Sequence, residues 1–213
     1  MTEEFNGVRK IVHLDTLRVD DAYQRGLKPH HKRIAKKFDA FAAGELVVNQ
    51  RADHSLWVID GQQRVGAMKI LGIKQWPARV LALATAKEEA AVFGRINGNE
   101  GTTCKISEKD KFKAARVAEE PVTMGAIAAV AAGGMLLGED RHRTKWPNIV
   151  GTSTVLTFYR AHGGEKLTTA IRLIVAAWNG DDDAVRYDVV ETVTRFVLKY
   201  PDADYDRAAK QFS

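Results

Sequence analysis

"WVIDGQQRVGAMKILG", residues 57–72, decides how the first half of the chain is read. An apolar run from Leu56 ends at Asp60-Gly61, and Gln62, Gln63 and Arg64 follow at once. An amphipathic segment then closes on Gly72, and "WPARVLAL", residues 76–83, reads as the next strand. The order is strand, turn, helix, glycine stop, strand. Gly61 permits a tight turn and the close approach of a ligand. The first turn of the helix leaves amide donors unsatisfied, and its dipole favours an anion there. Arg64 offers a planar fork to phosphate oxygens, while Gln62 and Gln63 can bind phosphate, a base edge or a water. Asp60 reads three ways: metal ligand, partner that orients Arg64, or helix cap. An ordinary strand-end turn explains Asp60 and Gly61 without a ligand. It leaves Gln-Gln-Arg unexplained in a first turn where surface helices more often place acids.

Upstream, "VRKIVHLDTLRVD" reads as a short strand followed by a turn. "PHHKRIAKKFDAFAAGE", residues 29–45, reads as one helix. Pro29 suits its first turn and Gly44 its C-terminal cap, with Ile34, Phe38 and Phe41 at apolar helical spacing. Lys32, Arg33, Lys36 and Lys37 then fall on the other side. "LVVNQRADHSLWVID" reads as two strands joined by a turn at "ADHS". Downstream, Thr85 and Glu88 form a capping-box pattern that opens a helix through Phe93, and "NGNEG" breaks the chain. Helices are then expected over residues 107–119, 123–132, 154–162, 165–178 and 184–200, before a short tail. The shift in character near residue 102 separates an α+β half from a helical half.

Composition bounds what these halves can do. At 213 residues with 45% hydrophobic and 28% charged content, a soluble globular protein with a real core is expected. No apolar run is long enough for a transmembrane helix, and the start, "MTEEFNGVRK", lacks a secretory apolar region. Cys104 is the single cysteine, so no internal disulfide forms, which fits a cytoplasmic location. A net charge of +5 permits an acidic partner. Its clustering says more: residues 24–38 hold six Lys or Arg, two His and no acid. Further basic blocks are "CKISEKDKFKAAR" and "RHRTKW". One such block is more often a solvated helix face, but three together point to nucleic acid or nucleotide phosphate. His30-His31 lack a third metal ligand nearby in sequence, and Asp181, Asp182 and Asp183 read as a solvated loop. Trp146 before Pro147 reads as a packing corner.

"DGQQRVGAMKILG" followed by "WPARV", with "VDDAYQRGLKPHHKRIAKKFDAF" upstream and "FGRINGNEG" downstream, resembles the ParB N-terminal/sulfiredoxin-like superfamily. The loop is most similar in style to phage and actinobacterial ParB-like nuclease-domain proteins with a DGQ(Q/H)R loop, and it is shared with certain restriction nucleases that use nucleotides. The resemblance covers about residues 8–120, and it implies a ParB/sulfiredoxin-like α+β domain (1–102) followed by an all-helical C-terminal domain (103–213). Branches of the superfamily are nucleases, nucleotide hydrolases, a serine kinase and sulfiredoxin. Sulfiredoxin resembles G-C-H-R at the turn, and the cysteine is missing here. Chromosome-partitioning ParB resembles G-E-R-R, where Gln62 replaces the acid and Gln63 an arginine, against a CTP clamp. No Walker P-loop is present.

By position, the resemblance makes Arg64 the foremost phosphate ligand, beside Gly61. It gives Gln62 and Gln63 the task of orienting phosphate or water, and Asp60 that of holding Mg²⁺ or activating water. Tyr23, Gln24 and Arg25 would approach from the earlier loop, Arg95 and Asn97 would close the other side, and Lys32, Arg33 and Lys36 would add phosphate contacts. The implied activity is phosphodiester or nucleotide hydrolysis with Mg²⁺, on DNA or a nucleoside triphosphate. The alternatives are a non-catalytic DNA-binding or regulatory phage protein, and a small-molecule kinase. No membrane partner is expected. The apolar stripes of "LTTAIRLIVAAW" and "VVETVTRFVLKY" read as core or as a homo-oligomer interface.

Overall fold

The computed structural model describes residues 7–97, 107–138 and 145–212, so Cys104 and the basic Arg141, His142 and Arg143 lie outside the described residues. The chain divides into two compact units, Met1–Ala118 and Glu119–Ser213. The division therefore falls after Ala118 and not at the composition shift near residue 102.

The first unit is built on a five-stranded mixed sheet. Its strands are β1 (Val8–His13), β2 (Leu17–Arg18), β3 (Leu46–Gln50), β4 (Leu56–Asp60) and β5 (Gln75–Leu81), in the spatial order β1-β5-β3-β4-β2. β3 and β4 form the expected antiparallel hairpin, with a register shift between Val47 and Val48 opposite the end of β4. β5 returns parallel to β3 and antiparallel to β1. The residues alternate as a half-buried sheet requires: Leu46, Val48, Val58, Ala78 and Val80 point into one core with Met68. A second cluster gathers Tyr23, Ile59, Leu81, Val92, Phe93 and Ala114.

α1 (His30–Lys36) and α2 (Ala40–Ala43) replace the single helix expected over residues 29–45. Asp39 explains the break: its side chain accepts the N–H groups of Phe41 (2.8 Å) and Ala42 (3.3 Å) and starts a new helix. Phe38, in the break, packs edge-on against Trp76 at 5.5 Å between centroids. Phe41, expected on the apolar stripe, is thereby rotated out and is 99% exposed. α3 (Gln62–Ile70) follows β4 directly, and Gly66 within it lets Leu27 and His31 of the neighbouring segment lie close, where a Cβ would meet Leu27 Cδ1 at 2.8 Å. α4 (Ala86–Asn97) opens on the Thr85–Glu88 pair, Thr85 Oγ1 accepting the Glu88 N–H at 3.2 Å. α5 (Glu108–Val117), capped by Ser107, packs on α4. Phe112 and Ala114 of α5 are buried, and the Lys113 ammonium donates to the Asp21 and Gln24 carbonyls. This is why α5 belongs to the first unit.

The second unit is helical, as expected: α6 (Pro121–Ala132), α7 (Thr152–Trp178, kinked at Gly163, φ +80°), α8 (Tyr187–Lys199) and α9 (Tyr205–Phe212). Two differences stand out. Residues after α6 pair as two-residue strands, β6 (Leu136–Leu137) with β7 (Asn148–Ile149), and the expected tail forms α9. Leu167, Ile171 and Ile174 of α7 meet Val190, Val193 and Val197 of α8 in this unit's core, so both apolar stripes are internal packing. Trp146 packs against the same core, and Asp181, Asp182 and Asp183 are exposed. Among the described residues, no helix is long and apolar enough to cross a membrane.

Candidate functional site

The turn between β4 and α3 opens into a cleft of about 670 Å³, entirely within the first unit. Gly61 supplies the turn at φ +103°, where a side chain would also drive into Leu46. α3 then begins with no side-chain cap and no acid in its first turn. Gln62 and Gln63 line the cleft there. Gln63 Oε1 accepts the Lys28 backbone N–H at 3.3 Å, and its buried Nε2 has no partner among the described residues. A buried donor left without an acceptor costs roughly 1–3 kcal/mol, so the position favours an acceptor from the cleft, a water or a ligand oxygen.

Arg64 lines the cleft, but its guanidinium is engaged on three sides. Nη1 donates to the Ala43 carbonyl and to the Glu45 carbonyl at 3.0 Å, and Nη2 donates to Asp60 Oδ2 at 2.7 Å. It ties the end of α2 and the start of β3 to the β4–α3 turn. Of the three roles open to Asp60, orienting Arg64 is the one the geometry realises, which draws both residues into the scaffold. Among the described residues, no group of three or more His, Cys, Asp or Glu is placed to hold a metal ion.

The Tyr-Gln-Arg segment splits. Tyr23 and Gln24 point inward: Gln24 Nε2 donates to the Val58 carbonyl and to the Ile59 carbonyl at 3.2 Å, and so backs the strand that delivers Asp60. Tyr23 donates its hydroxyl to Glu89 at 3.0 Å, and burial, then the Glu89 charge, pushes that hydroxyl well above its ordinary pKa. Gln24 still borders the cleft, and Arg25 turns to it half-buried, with no side-chain partner among the described residues. Asn97 lines the opposite part, its Nδ2 donating to the Phe93 carbonyl at 3.1 Å, whereas Arg95 is exposed and does not line the cleft. Lys32, Arg33 and Lys36 are exposed on α1, away from the cleft lining. Lys28 and His30 complete the polar wall, and Ile34, Ile59 and Phe93 are apolar.

Sequence reasoning missed a buried ion-pair network under this loop. Glu89, fully buried, accepts from Asn49 (2.7 Å) and from Arg51 through Nε (2.7 Å) and Nη2 (2.6 Å). Arg51 also reaches Asp20 at 2.7 Å and lies 3.7 Å over the Trp57 ring. The hydrogen bond to Glu89 holds the Arg51 guanidinium above its ordinary range, against the cost of its burial. Glu89 falls at helical spacing from Ala86, Val92 and Phe93 in "AKEEAAVF", and that was its one sequence signal.

No curated protein matches the sequence. Among solved structures the chain is similar to a Pnob8-like ParB-N domain: 13% identity, 92% of this chain and 82% of that one, TM-score 0.44. It is also similar to the C-terminally truncated chromosome-partitioning protein ParB from Caulobacter crescentus complexed to the centromeric parS site: 12% identity, 95% and 99% coverage, TM-score 0.39. The same protein complexed with CTP-gamma-S gives 12% identity, 90% and 99% coverage, and a TM-score of 0.36. A family model spans residues 19–211, nearly the whole chain and both of its units, and the chain belongs to that family, the Family of unknown function (DUF6551).

Proposed function

We propose that the chain binds a nucleotide, or the phosphate backbone of DNA, in the cleft at the first turn of α3. One observation carries this reading: an uncapped helix start, free of acids, lines a cleft shared with the unpartnered Arg25 and with Lys28. Free helix N–H groups and a cation are what a phosphate needs. The cleft volume falls within the usual range for small-molecule sites, and its Ile34, Ile59 and Phe93 offer apolar contact for a base. The resemblance of the DGQQR loop to nucleotide- and DNA-binding relatives points the same way.

The test is titration calorimetry of the full chain with each nucleoside triphosphate and with a short DNA duplex. Arg25→Ala is expected to weaken binding at least about tenfold, the worth of one charge-assisted hydrogen bond. Its melting temperature should stay close to the wild-type value, because the Arg25 side chain makes no internal hydrogen bond or ion pair among the described residues. Unweakened binding in this variant defeats the reading.

Hydrolysis is the more specific reading of the same cleft, and the position of Asp60 at the helix start is what favours it. Mg²⁺ fits these residues poorly: Asp60 is the one carboxylate residue lining the cleft among the described residues, and Arg64 occupies its Oδ2. Binding without turnover is therefore the better-supported function. A plasmid-nicking and nucleotide-hydrolysis assay with Mg²⁺ separates the two. Turnover by wild type that is lost in Asp60→Ala would restore the catalytic assignment, and turnover retained in that variant would remove Asp60 from it.

A further inference from the structure

α1 and α2 present one side to the cleft and another to solvent. Ile34 of α1 and Ala42 and Ala43 of α2 line the cleft. Lys32, Arg33 and Lys36 of α1, Lys37 just beyond it and Phe41 of α2 are exposed and do not line it. At about 100° per residue, Lys32, Arg33 and Lys36 fall within one arc of about 100° on α1, with Ile34 and the buried Ala35 outside it. Lys32, Lys36 and Lys37 have no ion pair among the described residues, and Arg33 contacts His30 Nδ1 at 2.8 Å. The adjoining acid, Asp39, has its Oδ1 engaged by the N–H groups of Phe41 and Ala42. Phe41 is 99% exposed, and no ring packs on it among the described residues.

We propose that this outer face is a second nucleic-acid surface, which holds the backbone of a single strand on Lys32, Arg33, Lys36 and Lys37 and stacks a base on Phe41. Charge complementarity names the partner: four cations, Lys32, Arg33, Lys36 and Lys37, against the single carboxylate of Asp39 select a polyanion. Lys32 and Lys36 stand about 6 Å apart along the helix axis, so a strand running along α1 meets them in succession. The exposed ring selects a single strand over a duplex, because only unpaired bases offer a free face for stacking. A membrane surface fits less well. The exposed arc of α1 carries no apolar residue, and interfacial helices bury an apolar face. This inference stands apart from the cleft, since none of its residues lines it.

The experiment is fluorescence anisotropy of the full chain with labelled oligothymidylate and with a duplex of equal length, across a salt series. Wild type should bind the single strand. Phe41→Ala should weaken that binding roughly tenfold and leave duplex binding unchanged, the loss expected for one stacked base. The fold is not at risk, because the ring touches no core. The double variant Lys32→Gln, Lys36→Gln should lower the slope of log affinity against log salt by about 1.4, from two released counterions. Calorimetric nucleotide binding should be the same in Phe41→Ala as in wild type, so failure of the cleft reading and failure of this one are seen separately. Three outcomes overturn it: no single-strand binding by wild type, equal affinity in Phe41→Ala, or loss of oligonucleotide and nucleotide together in that variant. Binding to phosphatidylserine vesicles that depends on Phe41, with none to oligonucleotide, would make the face a membrane contact instead.

Discussion

At Arg64 the sequence offers a guanidinium beside an uncapped helix, and the fold spends it on protein oxygens. Two carbonyls and one carboxylate hold it, across the α2–β3 connection and the β4–α3 turn. Removing it leaves Asp60 half-buried without its cation, and two carbonyls without a donor. Arg64→Ala should therefore destabilise the chain by roughly 1–3 kcal/mol, read as a lower urea midpoint. Lysine should rescue little of this, since one ammonium cannot reproduce the fork. Any loss of ligand in Arg64→Ala would follow from the displaced turn. Arg25→Ala should behave in the opposite way, losing ligand and keeping stability. Equal stability of Arg64→Ala and wild type would contradict the scaffold role. The residue types of the loop were legible, as was the need for Gly61. Which arginine faces the ligand was not. That choice depends on carbonyls of residues 43 and 45, which no local pattern announces.

Between elements, the Glu89 network joins β3, α4 and the segment after β2, and it is sensitive to pH in a defined direction. Tyr23 is held protonated by burial and by the Glu89 charge, while in the unfolded chain it titrates near its ordinary value of about 10. Between those two values the folded state keeps a proton that the unfolded state has lost. Its contribution is thus complete below pH 10 and is lost as pH rises above it. Tyr23→Phe should cost about 1 kcal/mol at pH 8, the worth of its hydrogen bond, and should flatten the decline in urea midpoint above pH 10. An unchanged alkaline slope would place the titration elsewhere. In the second unit Glu120 contributes on the acid side, where it caps α6 by accepting the Thr123 N–H (2.7 Å) and hydroxyl (2.6 Å). Burial raises its pKa, but the Thr123 hydrogen bonds outweigh burial and leave it below the ordinary carboxylate value. Its stabilisation is present above that ordinary value and fades as pH falls below it. Glu120→Ala should cost about 1 kcal/mol at pH 7, with a smaller deficit near pH 3. Elements themselves were readable where period and punctuation agreed, as in β3, β4, α3 and α4. The break at Asp39 was not, because the apolar spacing of Phe38 and Phe41 mimics one continuous helix. Trp76, distant in sequence, decides which of the two rings packs against the core.

For the whole molecule, the position of α5 decides what counts as the ligand-binding unit. Composition changes near residue 102, and the all-helical stretch reads naturally as a separate domain from there. Tertiary contacts override that reading: Ala114 is buried in one cluster with Tyr23, Val92 and Phe93, and Lys113 donates to the carbonyls of Asp21 and Gln24, the latter immediately before Arg25. Lys28 adds a contact to Asp110 at 3.8 Å. α5 therefore braces the loop that delivers the cation of the cleft, and such a brace is invisible to composition, which sees only that the residues are helical. Two truncations measure its worth. A fragment of residues 1–118 retains both clusters of the first unit and every residue named in the cleft, so it should unfold cooperatively and bind nucleotide within about threefold of the full chain's affinity. A fragment of residues 1–102 lacks α5. It exposes the apolar cluster that Ala114, Val117 and Ala118 close against Ala90, Val92 and Phe93 of α4, and uncovering a buried Val or Phe side chain costs roughly 1.5–3 kcal/mol, a large share of a small domain's stability. It should show a broad, weak thermal transition and no nucleotide binding. Equal melting and equal affinity of the two fragments would move the boundary back to residue 102 and reduce α5 to a neighbour of the cleft rather than its brace.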